Sequence, residues 1–95
     1  MQLEIITPES KIFSGNVEAV QLPGLDGSFQ VLTGHAPIIS ALSQGIVKID
    51  LKEVFEEDEK MSPAIEVDKT NKILFVSIKG GIIEMLNDKI IVLAE

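Results

Sequence analysis

Gly45-Ile46-Val47-Lys48-Ile49-Asp50-Leu51 decides the fold. Val47, Ile49 and Leu51 fall on one side of an extended chain, and Lys48 and Asp50 on the other. That period of two is the mark of a strand with one face in a core and one in water. Ser43-Gln44-Gly45 supplies the turn that leads into it. Working outward, the same kind of signal recurs. Gln2–Thr7 alternates, with Leu3, Ile5 and Thr7 on one face; Pro8-Glu9-Ser10 ends it, because proline brings no amide donor to a ladder. Lys11–Leu22 is a second strand region whose apolar parity switches from Phe13, Val17 and Ala19 to Val20 and Leu22. A shift of face by one residue predicts a β-bulge, and Gly15 marks a further irregular place.

Pro23-Gly24-Leu25-Asp26-Gly27 is a dense turn signal, followed by a strand near Ser28–Leu32, a break at Gly34-His35-Ala36-Pro37 and a short strand at Ile38–Leu42. Later strands are expected at Ala64–Val67, Ile73–Ile78, Ile82–Leu86 and Ile90–Ala94. Asp68-Lys69-Thr70-Asn71 and the two-residue Asn87-Asp88 serve as hairpin turns. Lys52–Lys60, with five acidic residues and two lysines, reads as a solvated loop or hairpin tip, with room for one helical turn. No stretch sustains a 3.6-residue period. Eight to ten short, closely spaced strands predict an all-β sandwich or barrel, and 95 residues suffice for one domain, 1–95.

Composition excludes several functions. Fifteen acidic against eight basic residues give a net charge of −7, which argues against nucleic acid and against polybasic attachment to anionic lipid. The longest apolar run is a handful of residues, short of the roughly 20 that span a bilayer as a helix. Met1-Gln2-Leu3-Glu4 lacks the basic start and apolar stretch of a signal peptide. The absence of cysteine removes disulfides and thiolate metal sites and suits a reducing compartment. Mean hydropathy is nonetheless positive in this acidic chain. The apolar surplus has two readings of equal standing: a Val/Ile/Leu-rich core, or material for an interface.

The parts for catalysis are missing. His35 is the one histidine and has no cysteine to activate; no serine sits in a Gly-x-Ser-x-Gly elbow, and no phosphate-binding loop is present. Asp26 lies inside the Gly24–Gly27 turn and would repel a phosphate. The acidic residues 53–59 lack the spacing of a calcium loop. No catalytic, cofactor or metal site is therefore expected, and His35 reads as a structural or interface residue.

Ordered motifs then carry a resemblance. Thr7-Pro8-Glu9, Phe13-Ser14-Gly15-x-Val17-Glu18, Leu22-Pro23-Gly24, Asp26-Gly27-Ser28-Phe29-x-Val31-Leu32-x-Gly34-His35-Ala36-Pro37, Leu42-x-x-Gly45, Gly80-Gly81-Ile82-Ile83-Glu84 and Val92-Leu93-Ala94 together resemble the epsilon subunit family of F-type ATP synthases. The resemblance implies a ten-stranded β-sandwich, or flattened barrel, at the foot of the rotating central stalk. It further implies a non-catalytic rotor part that couples the c-ring to the gamma subunit of a proton-translocating synthase. The complex would sit at the cytoplasmic face of a bacterial membrane, with the chain touching the membrane only indirectly. By position, Thr7, His35, Ala36, Pro37 and Ser40 fall where the family faces gamma, and Asp26, Gly27, Ser28 and Phe29 in the turn that faces the c-ring. Two residues depart from the pattern: Gln30 stands where glycine is usual, and Ser28 where an acidic residue is common. The chain ends at Glu95, before the inhibitory two-helix hairpin that many members carry. The alternative reading is a free-standing β-sandwich binding module, which an aromatic-lined pocket would favour.

Overall fold

Residues 1–57 and 61–95 are described in a computed structural model, and among them the chain forms nine strands and no helix. They are β1 Gln2–Ile6, β2 Lys11–Gly24, β3 Gly27–Leu32, β4 Ile38–Leu42, β5 Gly45–Leu51, β6 Ile65–Val67, β7 Ile73–Ile78, β8 Gly81–Leu86 and β9 Lys89–Ala94. The all-β class follows the sequence pattern, with nine strands among the described residues where the resemblance implies ten. Asp58, Glu59 and Lys60 of the acidic segment lie outside the described residues.

The 14-residue β2 organises the architecture. Its first part pairs antiparallel with β1, from Asn16 opposite Gln2 to Phe13 opposite Ile5. Its middle pairs with β5 and its end with β3, while Gly24 meets Leu42 of β4. The ladder β1-β9-β8-β4 returns to β2 at both ends and so closes a flattened barrel; β3, β5, β7 and β6 extend the opposite layer. β1 and β9 run parallel, which joins the two ends of the chain in one layer.

One strand serves both layers because it bends at the predicted bulge. Val17 and Ala19 oppose the consecutive residues Leu51 and Asp50, leaving Glu18 as the extra residue. The parity switch thus turns Val20 and Leu22 into the same core that Phe13 and Val17 enter. Gly15 is different from the expectation. It sits in regular register opposite Leu3, and its lack of a side chain makes room for Phe13, whose ring would lie 3.1 Å from an added Cβ. The second irregularity falls at Ile5/Ile6 instead.

The core is one cluster between the layers. Leu3, Ile5, Ile83, Met85, Ile90 and Val92 come from one side, and Val20, Leu22, Val31, Val47, Ile49, Leu74 and Val76 from the other. Burying each such side chain contributes about 1.5–3 kcal/mol. No polar or charged residue is buried among the described residues, so the interior between the layers is held by apolar packing. The turns behave as their chemistry requires. Asn87 and Asp88 both take positive φ, +52° and +62°, the pattern of a tight two-residue hairpin. In the β6–β7 turn the Asp68 carboxylate accepts from the Thr70 hydroxyl and the Ile73 amide.

Candidate interface

The strand pairings place side chains from four strands in register on the outer face of the β1-β9-β8-β4 layer. Ile6 lies opposite Leu93, Leu93 opposite Ile82, and Ile82 opposite Ala41. With strands about 4.8 Å apart, this continuous apolar row is about 15 Å wide. The next row mixes types: Glu4, Ile91, Glu84 and Ile39. The last holds Gln2, Lys89 and Leu86. Large apolar side chains on this face stand in solvent: Ile39 is 76% exposed, Leu93 54%, Leu86 52% and Ile82 49%. A salt bridge of 3.8 Å between Lys89 and Glu4 lies beside them, exposed enough to add only about 0–1 kcal/mol. Burying the apolar row against a partner is the favourable event available to this face.

The motif residues sit around it in different ways. His35, Ala36 and Pro37 are exposed on the loop between β3 and β4, beyond the Leu86 end of the face. Pro37, Ile39, Glu84 and Leu86 line a shallow groove there. Two amides hold the loop: that of His35 donates to Leu32 O at 3.0 Å, and that of Gly34 to Asp88 Oδ1 at 3.2 Å. His35 Nδ1 lies 2.7 Å from Ala36 O, so the ring folds back on its own loop. Thr7 lies at the opposite end, just past Ile6, where its hydroxyl donates to Ser10 O and accepts from the Ser10 amide, closing the Pro8-Glu9 turn. Ser40 has the strand parity of Ile38 and Leu42, not of Ile39 and Ala41, and opposes the buried Ile83. The structure therefore brings His35, Ala36 and Pro37 together beside the apolar face, sets Thr7 at its far margin, and turns Ser40 away from it.

The other predicted turn is the β2–β3 hairpin. Gly24 pairs with Gly27 across the tip formed by Leu25 and Asp26, and Gly27 has φ +124°, which disfavours other residues. A Cβ on Gly24 would come within 2.9 Å of the Phe29 ring, so the half-buried Phe29 closes over a bare backbone. The Gln21 side-chain amide donates to Ser28 Oγ at 2.9 Å. Ser43 ties the base, its amide donating to Pro23 O at 2.7 Å. Gln30, one of the departures, is exposed in the ladder opposite Gln21. Leu25 at the tip is 65% exposed, a residue the motif reading passes over.

The motif reading gives the apolar residues of the outer face no interface role, although a signal for one exists. Ile82-Ile83 and Ile90-Ile91-Val92-Leu93 are unbroken apolar runs, where a half-exposed strand would alternate. Among the described residues no three His, Cys, Asp or Glu side chains converge to hold a metal ion, and no helix is long and apolar enough to cross a membrane.

A family model described as the ATP synthase Delta/Epsilon chain β-sandwich domain matches residues 1–62. The chain is 36% identical over 94 residues to the ATP synthase epsilon chain of Chlorobium limicola, covering 99% of this chain and 88% of that protein. It is 37% identical over 93 residues to the epsilon chain of Chlorobaculum tepidum, covering 98% and 86%. In fold it matches a chain from the central stalk and c-ring of the Tetrahymena thermophila mitochondrial ATP synthase with a TM-score of 0.71, at 12% identity and covering 99% of this chain and 62% of that one.

Proposed function

The chain belongs to the delta/epsilon family of ATP synthase subunits, and from that premise we propose that it is a non-catalytic rotor subunit of a proton-translocating F-type synthase, coupling the c-ring to gamma. One observation carries the coupling role: four strands present Ile6, Leu93, Ile82 and Ala41 as one apolar row on the outside of a sheet whose inside is already a complete core. A monomer gains nothing from such a row, whereas a shaft laid across it buries the row and moves with it. His35, Ala36 and Pro37 extend that gamma-facing surface at the Leu86 end, Thr7 bounds it past Ile6, and Ser40 supports β4 from behind. The β2–β3 tip, with Asp26, Gly27, Ser28 and Phe29, faces the c-ring. Its backbone is ordered by Ser43 and the Gly24–Gly27 pair, so little freedom is lost on contact. The subunit works at the cytoplasmic face of a bacterial membrane, reaching lipid only through the assembled complex.

The experiment is stoichiometric binding of the purified chain to its gamma subunit, followed by the same measurement with Ile82→Glu and Leu93→Glu. Loss of binding with retained β-sheet circular dichroism supports the reading; unchanged binding removes it. A second reading, a ligand-binding module, is favoured by an open groove that Met1, Phe13, Val54 and Phe55 help to line. Chemical-shift changes at Phe13 and Phe55 with small apolar ligands, in a chain that ignores gamma, would favour that reading.

A further inference from the structure

Among the described residues, the loop from Thr33 to Pro37 has one hydrogen bond that reaches outside its own neighbourhood. It is the bond from the Gly34 amide to Asp88 Oδ1, across 54 positions of sequence. The loop's other bonds join His35 to Leu32 and His35 to Ala36. Those fix its local curl but not its placement over the β8–β9 end.

Asp88 tolerates a position where glycine is the commoner residue. It is second in the Asn87-Asp88 turn with φ +62°, a backbone that glycine adopts freely and aspartate adopts with strain. Where a residue is held in a strained conformation that another would take freely, a compensating role is to be sought. The carboxylate supplies one, since glycine has no acceptor to offer the Gly34 amide. Gly34 itself has φ +85°, so both ends of the bond lie in left-handed backbone, that of Asp88 required by the two-residue hairpin and that of Gly34 by its own loop.

We propose that Asp88 is a positioning residue for docking: it latches the Gly34-His35-Ala36-Pro37 loop in its binding conformation before gamma arrives. Without the latch, only a fraction of molecules present the loop correctly, and apparent affinity falls by that fraction. This rests on the proposed docking of that loop on gamma.

Two variants separate the latch from mere turn stability. Asp88→Gly removes the acceptor yet relieves the left-handed backbone, so the thermal midpoint stays equal or rises. In the free chain, hydrogen exchange of the Gly34 amide then quickens by about tenfold, and affinity for gamma drops by about three- to tenfold, the worth of one such hydrogen bond. Asp88→Asn keeps the Oδ1 acceptor and tolerates the same backbone, and restores affinity to within about twofold of the parent. Parent-like affinity of Asp88→Gly overturns the proposal, as does Asp88→Asn binding as weakly as Asp88→Gly. A His35→Glu arm distinguishes the two failures. If His35→Glu weakens binding and Asp88→Gly does not, the latch alone is wrong. If neither weakens it, the docking of the loop is wrong, and the latch falls with it.

Discussion

The two layers have matching insides and contrasting outsides. On the outer side of the layer containing β5, one ladder row reads Gln30, Gln21, Lys48, Phe75 and Glu66, the surface of a sheet that meets water. On the outer side of the layer containing β9, the corresponding row reads Ile6, Leu93, Ile82 and Ala41. Folding needs only the inner faces, and both supply aliphatic side chains at or near zero exposure. The apolar outer row is therefore surplus to the core of the monomer, and this is the face proposed above for docking. Isolated apolar side chains are exposed on the β5 layer as well, Leu32 at 52% and Ile46 at 56%, so the positive mean hydropathy draws on both outer faces; what sets the β9 layer apart is that its apolar residues adjoin in one row.

If the inner faces are equivalent, matched truncations on each should cost alike. Ile49→Ala on β5 and Ile83→Ala on β8, both fully buried, are each expected to cost about 2–5 kcal/mol in urea unfolding. A large difference between them would break the symmetry. The outer faces should then diverge. Ile82→Glu or Leu93→Glu is expected to lower gamma affinity by about 30-fold or more by calorimetry, while stability changes little. Lys48→Glu on the other layer should leave the same affinity unchanged; a comparable loss there would refute the assignment of faces. His35→Glu, at the margin of the apolar face, is expected to weaken binding by about tenfold, less than a change in the apolar row. The smallest effect belongs to Lys89→Ala: removing its exposed salt bridge to Glu4 should shift stability by under about 0.5 kcal/mol.

Much of the scaffold was legible beforehand. The pattern of apolar residues and breaks located β4 and β7 to the residue and β5 but for Gly45, which belongs to the strand and not to the turn before it, and the switch from Val17 and Ala19 to Val20 announced the bulge at Glu18. Asn87-Asp88 was recognisable as a two-residue hairpin because few side chains accept two positive φ angles in succession. The interface was harder to read. Ser40 looks like a neighbour of His35 in sequence, but β4 begins between them, and strand parity sends Ser40 to the other side from Ile39. Glycine commonly marks an irregularity, whereas at Gly15 a neighbouring ring needs the space.

What the sequence determined by itself was local: where the strands lie, which side of each is apolar, where the chain turns, and that no thiol chemistry is available. Each of these depends on residues within a few positions of one another, so a period of two or a turn pair carries it completely. What only the tertiary structure decided was adjacency. The parallel pairing of β1 with β9 sets Ile6 beside Leu93 from opposite ends of the chain, and the β8–β9 turn delivers Asp88 to the amide of Gly34. Pairing is chosen by the whole core at once, because a strand's apolar side is satisfied by any neighbour that completes the packing.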